Sequence, residues 1–378
     1  MRRASILSFV LILALSVGVF ACAGKKPTTT TTSTSSPPTT AASTTTTTVP
    51  ETTTTAAPQE PITLKLATTF QQAEPGGQII QHFCDYVEEE TAGVVAFDVY
   101  FGGDLGNSQE ELGMVSSGQV DIISFDPLQN AAKVPLLSFP ALAPPDADSS
   151  LDHFGRLVFE NQHTAPLIQA EATKNNIVYL GFTSGGGNIL MSTKPFAALA
   201  DLAGTKFGTA GSDAAFKALG FDVVQSSPSD AYKNLSTAVI DAADMTLAQA
   251  VELKCYEVAK YFAWDGTYSI GSMITVNLDT WQQLTAETQQ TMRDAAKDTA
   301  QFSLDLSTED TQTDLKTLAD AGAAVATLST EDQAAWWKNV FDAGAADCMT
   351  RAEKLGVSDN MATVLQAAAT YTGLTWAP

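Results

Sequence analysis

The stretch FAALADLAGTKFGTAGSD, Phe196 to Asp213, decides the fold. Leu202, Ala203 and Gly204 close a turn, Thr205 to Thr209 reads as a strand, and Ser212 is placed to cap a following helix. The same grammar extends outward on both sides. Downstream, Ala214–Leu219 reads as a helix, Phe221–Val224 as a short strand, and Ser229 as the cap of a helix leading to Val239-Ile240-Asp241. Further on come a strand over Ile274–Leu278, a long helix from Glu287 to about Leu318, and a capping box at Ser329 and Asp332. Upstream, Ile62–Thr68 and Val94–Tyr100 alternate like strands around a helix over Gln78–Glu90, where Ile79, Ile80, Phe83 and Val87 repeat at helical spacing. Asn176–Phe182 is a strand and Thr183-Ser184-Gly185-Gly186-Gly187-Asn188 a glycine turn. Repeated strand–helix–strand order predicts an α/β protein with parallel sheets covered by helices.

The N-terminus reads as targeting sequence. Arg2 and Arg3 precede the apolar run Ile6–Phe20, and Val19-Phe20-Ala21-Cys22 has the form of a lipoprotein cleavage site. Residues 1–21 are therefore expected to be a signal peptide, with lipid on Cys22, the alternative being an uncleaved N-terminal anchor. Residues 22–61 are mostly Thr, Ser, Ala and Pro, too poor in apolar surface to fold. A coil of that kind spans ~30 Å, a tether between membrane and body. The formal charge of the whole chain is −22, and losing Arg2 and Arg3 makes the remainder more acidic. That excludes nucleic acid and anionic lipid surfaces as partners of the body. Beyond Cys22 stand Cys84, Cys255 and Cys348. They read as small buried hydrophobes, with Cys255–Cys348 the disulfide to check first.

Three motifs carry a family resemblance. Gly103-Asp104-Leu105-Gly106, then Glu110, then Gly118-Gln119-Val120-Asp121, match G-x-L-G-x-x-x-E followed by G-x-(V/I)-D. Pro195, Phe196, Asp201, Leu202, Gly204, Lys206 and Phe207 fit P-(I/V)-x-x-x-x-D-L-x-G-x-K-(I/F)-R up to its last residue. Pro228, Asp230, Tyr232, Leu235 and Val239-Ile240-Asp241 fit a third run, with Ala238 in place of a glycine, and Tyr256–Tyr261 fits Y-E-V-x-K-Y. Together these resemble the DctP-like substrate-binding proteins of tripartite ATP-independent periplasmic (TRAP) transporters, over about Ile62 to Val340. The resemblance implies a two-lobed periplasmic-binding-protein-like α/β fold with a hinge and a long bridging helix. Lobe I would comprise 62–184 and 276–325, lobe II 185–275, and C-terminal helices 326–378.

The chemistry departs from that family. No nucleophile elbow, P-loop or Rossmann fingerprint occurs, and His82, His153 and His163 sit in predicted helices without metal spacing, so neither catalytic, metal nor cofactor sites are expected. The family grips a carboxylate with arginine, whose planar fork matches it. Gly208 stands at that position, and Gly187 or Asn188 at the second arginine position. After Arg2 and Arg3 the chain holds only Arg156, Arg293 and Arg351, all in predicted helices. Loss of both arginines is expected to open volume lined by Phe70, Phe125, Phe182, Trp264 and Tyr268. Lys206 and the Gly185–Gly187 amides remain as anion donors. Asp126, Asp244 and Asp265 at loop positions favour a neutral or cationic ligand, with Met245 beside Asp244 giving soft apolar contact.

The expectation is a lipoprotein at the periplasm or outer cell surface. It would carry a small organic ligand, not clamped by arginine, to integral-membrane TRAP permease subunits. A receptor for an ATP-driven importer or sensor kinase, a surface enzyme and a structural lipoprotein stay open.

Overall fold

The computed structural model describes residues 58–139, 152–209 and 213–377. The lipid site at Cys22, most of the tether and the Ser212 cap lie outside the described residues.

Chain order is β1 (Ile62–Ala67), α1 (Pro75–Glu90), β2 (Val95–Tyr100), α2 (Glu111–Ser117), β3 (Ile122–Phe125), α3 (Ala165–Lys174) and β4 (Ile177–Ser192). Then follow β5 (Lys206–Thr209), α4 (Asp213–Ala218), β6 (Asp222–Gln225), α5 (Ala231–Ser236), β7 (Ala242–Thr246) and α6 (Leu247–Glu252). The chain continues through β8 (Tyr261–Asn277), α7 (Leu278–Gln283), α8 (Ala286–Asp320), β9 (Ala324–Thr327), α9 (Thr330–Leu355) and α10 (Ser358–Tyr371). Among the described residues the strands form one sheet ordered β2-β1-β3-β8-β4-β7-β5-β6, with β9 on β8.

The architecture follows from two long antiparallel strands. β4 and β8 pair from Ile177↔Asn277 to Ser192↔Tyr261. At one end β8 carries the parallel set β3-β1-β2, and at the other β4 carries β7-β5-β6. Each set has its own cores. Leu66, Phe83 and Ile274 fill one in the first half; Leu235, Ile240 and Phe262 fill one in the second. The 35-residue α8 bridges them, giving Met292 and Ala295 to the first half and Leu318 to the second. Helix α9 also joins both, with Trp336 in a core of the second half and Phe341 and Cys348 in one of the first.

Two elements differ from the sequence reading. The expected glycine turn over Thr183–Asn188 is the middle of β4, so the chain crosses between halves without leaving the sheet. Register shifts at Phe182/Ser184, Ser184/Gly186 and Gly187/Ile189 supply the bend that glycine permits. Ser229 is not the N-cap of α5, because a 3-10 turn over Pro228–Asp230 precedes the helix and makes Asp230 its N-cap residue. The Ser329 cap is formed, its hydroxyl accepting from Asp332 N at 3.1 Å. All three described cysteines are free and buried. Cys255 and Cys348 belong to different cores, which rules out their pairing.

Candidate functional site

Between the two halves lies a cleft of about 490 Å³. Its first wall is the segment after β1, with Phe70, Glu74, Gly76 and Ile79. Its second is the start of α6, with Leu247, Gln249 and Glu252. The bridging helix closes the back through Ser307, Asp310, Thr311 and Asp314, and the crossing strands form the floor through Thr183–Gly187, Gly271 and Ser272.

The floor is a hydroxyl network. Ser272 Oγ lies 2.5 Å from Ser124 Oγ and 3.1 Å from Thr183 Oγ1, and Ser272 N donates to Thr183 Oγ1 at 2.9 Å. Ser184 N donates to Ser303 Oγ at 2.9 Å, tying β4 to α8. A side chain at Gly271 would meet Thr183 Oγ1 at 2.7 Å, so the network depends on that glycine. These bonds join both crossing strands and tie β4 to the bridging helix.

The charge in the cleft has one sign. Glu74, Glu252, Asp310 and Asp314 line it, and among the described residues no Lys, Arg or His does. Burial, then the neighbouring Glu309, raises the Asp310 pKa; burial, then Asp310, raises that of Asp314. None of the four acids is ion-paired among the described residues. Sequence reading missed all four: Glu74 stands in the loop before α1, and the three helical acids read equally well as a solvated face.

Of the residues read from sequence, Phe70 lines the cleft, its ring over Gly76, where a Cβ would fall 2.4 Å from it. Trp264 lies over Gly187 in the same way, and the Tyr268 backbone pairs with Gly187. Asn188, opposite Thr246, is one residue past the cleft floor. Phe125, Phe182 and Met245 are core residues rather than cleft walls: Phe125 is fully buried, Phe182 packs edge-on to Phe154 at 4.1 Å, and Met245 packs with Ile189. Asp126 is spent on a turn, accepting from Leu128 N at 2.8 Å.

Lys206 is at the far end of β5. Its amide faces the Asp241 carboxylate and its Nζ lies 3.4 Å from Ala238 O, so it does not reach the cleft. Gly208 is buried behind Ile240. Asp244 and Asp265 flank β4 on the face of Leu190, by strand alternation the face opposite Met245. Burial, then Asp265, pushes Asp244 up to about 7.

A larger groove of about 890 Å³ lies on the flank of the first half, beside Leu180–Phe182. It holds Arg156, Arg293 and Lys297 together with Asp152, Glu160, Asp294 and Asp298. It draws on one half only, whereas the cleft lies between two. The third arginine, Arg351, donates to Ser138 O at 3.2 Å.

Residues 66–343 match the bacterial extracellular solute-binding proteins, family 7 (DctP). A solute-binding protein of Chromohalobacter salexigens is 26% identical over 259 residues, 66% of this chain and 75% of that protein. The apo ectoine-binding protein TeaA of the TeaABC TRAP transporter superposes with a TM-score of 0.71 at 16% identity, covering 82% of this chain and 99% of that one. A TRAP periplasmic solute-binding protein of Chromohalobacter salexigens with bound D-glucuronate gives 0.61 at 20% identity, covering 80% and 99%.

Proposed function

Because the chain belongs to the DctP family, family 7 of the bacterial extracellular solute-binding proteins, we propose that it captures a small neutral or cationic organic solute and delivers it to a TRAP-type permease. One observation carries the ligand class: among the described residues the cleft presents four carboxylates and no basic side chain. A carboxylate ligand entering it would meet like charge with no guanidinium to offset it. A neutral, hydroxylated or partly aromatic solute finds the Thr183 and Ser272 hydroxyls and the Phe70 ring, and a cationic one also finds counter-charge.

The lobes would close on the solute by hinge bending at the crossing of β4 and β8, and the permease would read the closed form. In this reading Cys22 carries lipid and residues 22–61 tether the body at the periplasm or outer surface. Among the described residues no helix is long and apolar enough to cross a membrane. The relatives are solute-binding proteins, and no catalytic role is assigned to this chain.

Native mass spectrometry of the purified protein tests the reading. The expected result is a 1:1 adduct with a neutral or cationic compound and none with D-glucuronate. An adduct formed only with carboxylates would overturn it.

A further inference from the structure

We propose that Phe70 is a specificity-determining residue of the cleft: its ring is a preset platform for an alkylated, positively charged nitrogen, the head group of a quaternary or tertiary ammonium compound. The inference rests on the solute-binding reading and deepens it, choosing between the neutral and the cationic solutes that the reading admits.

Phe70 is left out of the cores. It is half-buried, lines the cleft and belongs to none of the four hydrophobic clusters of the described residues. Its ring rests on backbone instead. A Cβ at Gly76 would fall 2.4 Å from both Cγ and Cδ1 of the ring and 2.7 Å from Cδ2, so the ring lies face-on over the glycine. The other face is left to the cavity. Gly76 is absent from the positive-φ residues and sits in the first turn of α1, where alanine is the better helix former. The glycine therefore serves the ring and not the helix.

The loop that carries the ring is pinned on both sides. Gly102 N donates to Phe70 O at 2.8 Å and Gly103 N to Thr68 O at 3.0 Å, from a turn in which both glycines have positive φ. On the helix side Gln71 N donates to Glu74 Oε2 at 3.0 Å, and a Cβ at Gly77 would fall 2.1 Å from Gln71 O. A ring fixed before the solute arrives loses little freedom on binding. The face of an aromatic ring is negative, so it attracts a cation and offers a neutral solute apolar contact alone. Glu252, Asp310 and Asp314 line the same cavity and favour the same sign. Alkyl groups on the nitrogen suit the ring, because a weakly hydrated cation gives up less water to stack on it.

Titration calorimetry of the purified protein tests this with choline and with 3,3-dimethylbutan-1-ol, the neutral carbon isostere of choline. Wild type should bind choline at least about tenfold tighter than the alcohol. Phe70→Leu should lose about tenfold in choline affinity and leave the alcohol unchanged within about twofold. Gly76→Ala should lose choline as Phe70→Leu does, and should cost less than about twofold when added to Phe70→Leu, because both act through one ring. Thermal unfolding checks that each variant is folded. Should Gly76→Ala fail to fold, Phe70→Leu decides alone.

Equal affinity of wild type for the two probes would overturn the proposal. So would a wild type that ignores choline, a Phe70→Leu variant that keeps it, or a parallel loss of both probes, which would make the ring an apolar wall only. Neutral polyols binding where choline does not would remove this proposal and leave the solute-binding reading standing. Binding confined to D-glucuronate would sink that reading itself.

Discussion

The cleft between the lobes and the groove on the flank of lobe I handle charge in opposite ways. The groove mixes signs and settles them internally. Arg156 pairs with Asp152 at 2.8 Å, His82 lies 2.8 Å from Asp298, and the Arg293 guanidinium stands 4.8 Å over the Trp281 ring. The cleft gathers Glu74, Glu252, Asp310 and Asp314 with no counter-charge lining it among the described residues. The groove is nearly twice as large. Volume therefore does not carry the proposed site; the unbalanced charge of the cavity between the two halves does. Whatever closes the cleft must be compatible with four carboxylates, which a mixed-sign surface groove does not ask of a partner.

The largest expected effect concerns a carboxyl behind the cleft wall. Glu111 is buried, near the Thr69 amide next to Phe70, and burial pushes its pKa up to about 8 despite that amide. Its folded pKa lies above the unfolded value, so the folded state holds the proton more tightly. Stability is then lost as pH rises from about 4.5 through about 8. Glu111→Gln should be near neutral at pH 4.5 and stabilise by roughly 2–4 kcal/mol at pH 9, read by urea unfolding. Asp298→Asn, in the flank groove, should stay within ~1 kcal/mol at both pH values. Equal pH dependence in the two variants would break the contrast between buried and solvated acids.

Next in size is the charge of the cleft itself. Asp310→Asn/Asp314→Asn should weaken binding of a cationic solute about tenfold, which is ~1.4 kcal/mol. Arg293→Ala should leave solute binding within twofold while costing ~0.5–1 kcal/mol of stability from the lost stacking on Trp281. Titration calorimetry separates the two, and a binding loss in Arg293→Ala would move the site to the groove.

The smallest effect sharpens the view of lobe II. Ala238 has a φ of +55°, a left-handed conformation that costs a non-glycine residue. Ala238→Gly should raise stability by roughly 0.5–1 kcal/mol, seen as a higher midpoint in thermal unfolding with binding unchanged.

The pattern of these expectations shows what was legible in the sequence. Ala238 stood where a glycine was expected, and its strained backbone is the physical content of that mismatch. The strand–helix order was readable because hydrophobic periodicity records burial over many residues, while the bridging role of the long helix was what the family resemblance implied. Gly185–Gly187 were misread as a turn because glycine signals freedom and not the direction taken; inside β4 that freedom became bulges. The site was less legible. Lys206 looked available because its position on the strand does not say which end faces the cleft. The acids of α8 and α6 were passed over because periodicity cannot tell a stripe facing water from one facing a cavity. Phe125 and Phe182 looked like cleft aromatics because strand ends lie near both core and cleft.

The most direct test of the central claim is thermal unfolding of the protein against D-glucuronate, choline and a neutral polyol series. A solute at 100 times its Kd adds about 2.7 kcal/mol, a clear shift of the midpoint. The account predicts stabilisation by cationic or neutral compounds and none by glucuronate at neutral pH. Stabilisation by glucuronate alone would contradict it and show that the anion site had been rebuilt from groups other than arginine.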